Sequence, residues 1–90
     1  MVSQHYKAVA NERKYPNLVE LAVPAEGLQI ELSRRIIQFH KSRHIQPRYG
    51  RQIVRGNRIY SRWCFAELGT ACEFIEQFGG ALAEAATRPR

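Results

Sequence analysis

Aspartate is missing from this chain, because all eight acidic side chains among its 90 residues are glutamates. The absence excludes aspartate-based metal clusters and aspartyl nucleophiles as candidate chemistry. Lysine is scarce as well, with three residues against eleven arginines. The two cysteines are too few for a disulfide framework, which indicates a reducing compartment.

Long hydrophobic runs are also absent, and none approaches the roughly 20 residues of a membrane span. Residues 1–17 are polar and basic and lack the apolar core of a signal peptide. We therefore expect a cytoplasmic protein with no membrane association. The length allows one small domain, which we place at residues 17–86, after a flexible basic arm at 1–16 and before a frayed tail at 87–90.

Positive charge is what the chain has in excess. Fourteen basic against eight acidic side chains give a net charge of +6, and residues 45–62 hold five arginines and no acid. The planar fork of arginine suits phosphate and nucleic acid. An arginine excess also follows from GC-rich codon usage, so composition alone leaves both explanations open.

The first half of the domain reads as a strand followed by a helix. Apolar residues alternate over 18–23, which predicts a strand that ends at Pro24. An apolar stripe of helical spacing then predicts a helix over 26–43, and Pro47 follows its end. Residues 1–16 have no regular apolar period, so we expect an arm there, with or without a short helix.

The second half reads as a hairpin and a helix. The dipeptide Gly56-Asn57 separates two strand-like runs, which predicts a β-hairpin with strands at 49–55 and 58–66. A capping-box pattern from Thr70 to Glu73 and the pair Gly79-Gly80 predict a helix over 70–79. The alanine-rich residues 81–86 fit either a further helical turn or a short edge strand.

This order of elements predicts an α+β fold. We expect a small β-α-β-β-α sandwich, with a three-stranded antiparallel or mixed sheet and both helices on one face. It resembles a ferredoxin-like β-α-β-β-α-β unit whose last strand is missing or short. The edges of so small a sheet invite pairing with a second copy, so we expect a homodimer.

The hairpin register sorts its side chains onto two faces. A two-residue turn places Arg55 opposite Arg58, Ile53 opposite Tyr60 and Arg51 opposite Arg62. The face meant for the helices carries Val54, Ile59, Trp63 and Phe65, with Gln52 and Ser61. The other face carries Arg51, Arg55, Arg58 and Arg62, interleaved with Tyr49, Ile53 and Tyr60.

Arginines directly opposite one another destabilise a hairpin by about 0.2–1 kcal/mol per pair. A bound polyanion would convert this repulsion into attraction, with arginines on phosphates and tyrosine rings on bases, as on the open sheet of RNA-recognition-type domains. We therefore predict non-specific RNA or DNA binding. The predicted binding residues are Arg48, Tyr49, Arg51, Arg55, Arg58, Tyr60 and Arg62.

Two other interpretations of this face remain open. Exposed strands often carry arginine and tyrosine simply as a solvated surface, and Glu20 is placed to pair with one of the arginines. Alternatively, the face belongs to a homodimeric protein-interaction or regulatory module with no nucleic-acid role.

The remaining candidates for chemistry are weaker. His40 and His44 have a zinc-compatible spacing, but no third ligand stands at a recognisable distance, so we expect helix-end histidines and no metal. We expect Cys64 and Cys72 to be small packing residues and Trp63 to belong to the core. No enzyme activity, cofactor or small-molecule substrate is predicted.

Overall fold

The computed structural model describes residues 4–24 and 30–83. It contains, in chain order, α1 Gln4–Lys14, β1 Asn17–Ala22, α2 Ile30–Ser42, β2 Ile53–Arg55, β3 Arg58–Phe65, α3 Leu68–Phe78 and β4 Ala81–Ala83. The predicted start of the second helix at residue 26 and the predicted tail at 87–90 lie outside the described residues. None of the helices in the described segments is long and apolar enough to cross a membrane.

The four strands form an antiparallel sheet in the order β2-β3-β1-β4. The α+β class is confirmed, but the prediction of three strands is corrected to four. Residues 81–83, ambiguous by sequence, pair with β1 through Leu18–Ala83 and Val19–Leu82. Gly80 permits this return, because its φ is +96° and an added Cβ would lie 2.5 Å from the Glu20 carbonyl oxygen.

The main core lies between one face of the sheet and the two helices α2 and α3. It comprises Val19, Leu21, Ile36, Phe39, Trp63, Phe65, Ala71 and Phe74. Trp63 and Phe65 are buried as predicted. Val54 and Ile59 are not, with 65% and 40% of their surfaces exposed, because the helices leave the hairpin tip uncovered.

Helix α1 covers part of the opposite face, which the prediction left open to solvent. Leu18 and Cys64 are paired across β1 and β3 on this face, and both are buried. Ala8 and Glu12 are four residues apart, so they share one side of α1, and both are buried too. Residues 4–14 therefore form a packed helix where the sequence predicted a flexible arm. The inward side of this helix has too few apolar residues to give a recognisable hydrophobic stripe in the sequence.

The ends of α3 test two sequence signals. The helix begins at Leu68, and its N-cap residue Glu67 makes no side-chain capping bond, so the predicted capping box from Thr70 is wrong. The predicted stop is confirmed, because Gly79 has a φ of +90° and its backbone N–H donates to the Ile75 carbonyl at 2.7 Å.

Candidate nucleic-acid interface

The observed pairing of the hairpin strands agrees with the predicted register near the turn and departs from it by one residue further along. Ile53, Val54 and Arg55 pair with Tyr60, Ile59 and Arg58 as predicted. The next bridge joins Tyr49 to Trp63, so residues 50–52 oppose only residues 61–62. One extra residue on the first strand is a β-bulge, which reverses the facing of the side chains beyond it.

Because of the bulge, Tyr49 lies on the face of the sheet opposite to the predicted one. Its ring lies 4.7 Å from the Trp63 ring, on the side of the sheet that faces α2 and α3 and away from the arginines. Arg48 lies beyond the bulge and apart from the other arginines, with its guanidinium carbon 4.6 Å from the ring centre of Tyr15. Five predicted residues stay together on the α1 side of the sheet and are called the arginine face below: Arg51, Arg55, Arg58, Tyr60 and Arg62.

Two glutamates from other elements contact the arginine face. Arg62 is buried between them, with its Nη1 at 2.9 Å from Glu12 Oε1 and its Nη2 at 2.8 Å from Glu20 Oε2. Glu12 of α1 is fully buried. Arg62 is therefore a structural cation, which ties α1 to the two central strands and has no free surface for a ligand.

The neighbouring arginines complete this network. Arg55 donates to both Glu20 carboxylate oxygens, at 2.7 and 2.9 Å, and its guanidinium carbon lies 5.2 Å from the Tyr60 ring centre. The backbone N–H of Arg51 donates to Glu12 Oε2 at 2.7 Å, and its side chain reaches the same carboxylate. The hydrogen bonds from Arg55, reinforced by Arg62 against the opposing effect of burial, lower the pKa of the Glu20 carboxyl.

Gly50 allows the bulge to sit against this network. A Cβ at this position would lie 2.7 Å from Glu12 Oε2 and 2.9 Å from Arg62 Cβ. Its backbone N–H donates to the Arg62 carbonyl at 2.8 Å. The pairing of Glu20 with arginine was expected from the sequence, whereas the role of Glu12 was missed; its only local signal is that it is the sole acid in residues 1–16.

Arg58 differs from the other three arginines of the face. It is exposed at the turn, directly opposite Arg55, and takes part in none of the ion pairs formed within residues 4–24 and 30–83. Three guanidinium groups thus share two carboxylates, and Arg58 is the fourth cation of the face. The arginine face retains a charge of about +2 among the described residues, and Arg58 carries one of these charges at the hairpin tip.

The two cysteines differ in their exposure to solvent. Cys64 is buried on the α1 side of the sheet, and burial raises the pKa of its thiol to about 12, so the reactive thiolate is scarce at neutral pH. Cys72 is exposed on α3. The burial of Cys64 agrees with its predicted role as a packing residue.

The two histidines are not brought together. His40 is buried among aromatic rings, and its Nδ1–H donates to the Ile36 carbonyl at 2.8 Å, whereas His44 is exposed beyond the end of α2. No group of three or more potential metal ligands occurs among the residues that the structure describes. His40 Nε2 finds no hydrogen-bond partner among the described residues, so a proton added to this nitrogen would be buried without an acceptor there.

Burial is the main cause that lowers the pKa of His40, with Arg43 adding to it and the Ile36 carbonyl opposing it. Below about pH 6.5 the unfolded chain takes up a proton that the folded core resists. We expect the free energy of unfolding to fall from pH 7 to pH 5, by up to about 1.4 kcal/mol per pH unit. Urea denaturation at several pH values measures it.

The matched variants for this pH effect are His40→Leu and His44→Gln. The first removes the buried imidazole and flattens the slope, and the second, altered at an exposed position, retains it. An unchanged slope in His40→Leu would assign the acid sensitivity to other groups.

Comparison with known proteins finds no matching family model, no matching curated protein and no matching solved structure. The function therefore has to be inferred from the geometry and charge of the site.

Proposed function

We propose that this protein binds nucleic acid without sequence specificity through the tip of the arginine face. The observation that supports the proposal is the shortage of carboxylates among the described residues of the face, with four guanidinium groups against two glutamates. Arg58 has no carboxylate partner in the described part of the chain. A phosphate oxygen at the tip supplies the missing acceptor and relieves the repulsion between Arg58 and Arg55.

The outer part of the face makes the contacts. Arg58 is exposed and unpaired within residues 4–24 and 30–83, and the Arg55 side chain is 54% exposed although it is bonded to Glu20. Arg51 lies further along the hairpin and is partly exposed. Guanidinium contacts to phosphate position a strand but carry no information on its bases, so the binding is sequence-independent.

Binding suits this site better than catalysis. The carboxylate that borders the tip, Glu20, is held by Arg55 and Arg62, and its pKa is lowered. Such a group is a poor proton acceptor. The face therefore combines fixed positive charge with the half-buried ring of Tyr60, which are features of a binding surface.

Arg58→Gln is the sharpest test of the proposal. We expect it to weaken binding of a labelled 20-nucleotide strand by about three- to tenfold at low salt, and to reduce the slope of log affinity against log salt by about 1. The loss follows from removing one phosphate contact. Fluorescence anisotropy over a salt series, with single-stranded and duplex probes, measures both quantities.

Arg34→Gln is the matched control. It removes the same charge from an exposed position on α2, where Arg34 pairs with Glu31 at 3.3 Å, and it should retain the salt slope. Equal weakening by both variants would mean that only net charge matters. No binding at about 50 mM salt would overturn the proposal. A change in oligomeric mass in Arg58→Gln would favour the homodimeric interaction module instead.

A further inference from the structure

A second surface combines cations with an apolar floor, away from the arginine face. A groove of about 450 Å³ opens where the end of β3, the loop after α2 and the start of α3 meet. Its volume lies within the range of about 300–1,000 Å³ that is usual for small-ligand sites. The lining combines basic side chains, Arg43, His44 and Arg48, with the apolar surfaces of Tyr15, Ile45 and Phe65.

The two arginines are held in place before any ligand arrives. Arg48 lies over the Tyr15 ring and takes part in no ion pair within the described segments. Arg43 donates from Nε to Glu73 at 2.9 Å and from Nη1 to the Phe39 carbonyl at 3.2 Å. Guanidinium groups fixed in this way bind an anion with less loss of side-chain entropy.

His44 occupies its position at a conformational cost. Its φ is +59°, in the left-handed region that favours glycine. Its N–H donates to the Lys41 carbonyl at 3.0 Å, and the N–H of Ile45 donates to the His40 carbonyl at 3.1 Å, which together form the Schellman ending of α2. Glycine would serve this ending better, yet the chain places an exposed imidazole at the groove.

The charge of the groove limits what it accepts. The positive charge of Arg43 is balanced by Glu73, so Arg48 is the arginine of the lining that lacks a carboxylate partner among the described residues, and Glu67 adds one negative charge to the same lining. On its other side Arg48 borders a cavity of about 350 Å³, where Lys7 adds positive charge and the lining contains no carboxylate. Arg48, with Lys7 on its other side, therefore offers positive charge for one phosphate group, whereas Glu67 disfavours a longer polyphosphate.

We propose that this groove binds a phosphate monoester carried on a flat, partly apolar group, as in a nucleoside monophosphate. Arg48 and His44 contact the phosphate, and the surfaces of Tyr15 and Ile45 accept the flat group. The ligand is either a free nucleotide or the phosphorylated end of a strand. The groove is separate from the arginine face, so this proposal does not depend on binding there.

Isothermal titration calorimetry with adenosine monophosphate, adenosine and inorganic phosphate tests the site. We expect adenosine monophosphate to bind about tenfold or more tightly than either fragment, because it uses the cations and the apolar floor together. Arg48→Gln should weaken it about tenfold, through loss of a charge-assisted contact. Arg34→Gln, which removes an equal charge from the exposed surface of α2, should leave the affinity unchanged.

His44→Gly separates binding from folding. We expect this variant to raise the midpoint of thermal unfolding, because glycine relieves the positive φ, and to weaken nucleotide binding severalfold. Adenosine monophosphate that binds no better than phosphate, or equally well to the wild type and to the Arg48→Gln and His44→Gly variants, would overturn the proposal.

Strands with and without a 5′-phosphate distinguish the two sources of the ligand. A preference for the phosphorylated strand that disappears in Arg48→Gln would identify a strand end. Binding of the mononucleotide without such a preference would identify a free nucleotide. Neither result depends on Arg58, so failure of this proposal and failure of the arginine face as a nucleic-acid site are distinguishable.

Discussion

Glu12→Gln is expected to lower the free energy of unfolding by about 3 kcal/mol, which is a large share of the roughly 5–15 kcal/mol of a typical domain. Glu12 is fully buried and accepts from the side chain of Arg62 and the backbone of Arg51. The glutamine keeps the size of the side chain but removes the charge that balances buried Arg62. Urea denaturation followed by circular dichroism measures the loss.

Glu31→Gln is the control for Glu12→Gln. Its carboxylate pairs with Arg34 at 3.3 Å, and both side chains are largely exposed. Exposed pairs of this kind contribute about 0–1 kcal/mol. Equal effects of the two substitutions would show that the buried network adds nothing beyond a surface ion pair.

Phe74→Ala is expected to cost about 3–5 kcal/mol. Phe74 is fully buried, and its ring centre lies 5.4 Å from those of Phe39 and Phe65 and 4.8 Å from that of Phe78. Truncation leaves a cavity where α2, α3 and the sheet meet. Loss of near-ultraviolet circular dichroism and a lower denaturation midpoint report the effect.

Leu68→Ala provides the comparison on the same helix. Leu68 is 54% exposed, so its truncation removes little buried surface, and alanine is a good helix former. We expect a change within about 0.5 kcal/mol. Comparable losses at the two positions would contradict the placement of the core between α2, α3 and the sheet.

The turn residues predicted the strand pairing of the hairpin correctly for the pairs beside the turn, but the predicted pairing is wrong for residues 49–52. Gly56-Asn57 sets the register of the first three pairs, since a two-residue turn leaves little freedom to the strands beside it. The bulge at residues 50–52 depends on the fit of Gly50 against Glu12 and Arg62. That fit joins distant parts of the chain, so no alternation within the hairpin reveals it, and Tyr49 was placed on the wrong face.

The sequence predicted most of the residues that form the candidate site, but it did not predict which of their positive charges are neutralised by carboxylates. Five of its seven residues share one face as expected. Whether their charges are available was decided by Glu12 and Glu20, which lie 50 and 42 positions from Arg62 in the chain. The pairing of Glu20 with an arginine is predictable from the sequence, whereas Glu12 belongs to a segment expected to be a flexible arm.

The sequence by itself determined the features that depend on neighbouring residues. These are the α+β class, the alternating sides of β1 and β3, the turn at Gly56-Asn57, the end of α3 at Gly79 and the excess of positive charge. Each follows from backbone geometry or from side-chain periodicity within one element.

Only the tertiary structure decided which arginines are structural and which are available. Burial of Arg62 between Glu12 and Glu20, the position of α1 and the pairing of β4 with β1 all need elements far apart in the chain. The same packing leaves Arg58 exposed at the tip and gathers Arg43, His44 and Arg48 around one groove. Ion pairs and cavities depend on distances in space, and a linear pattern does not encode these distances.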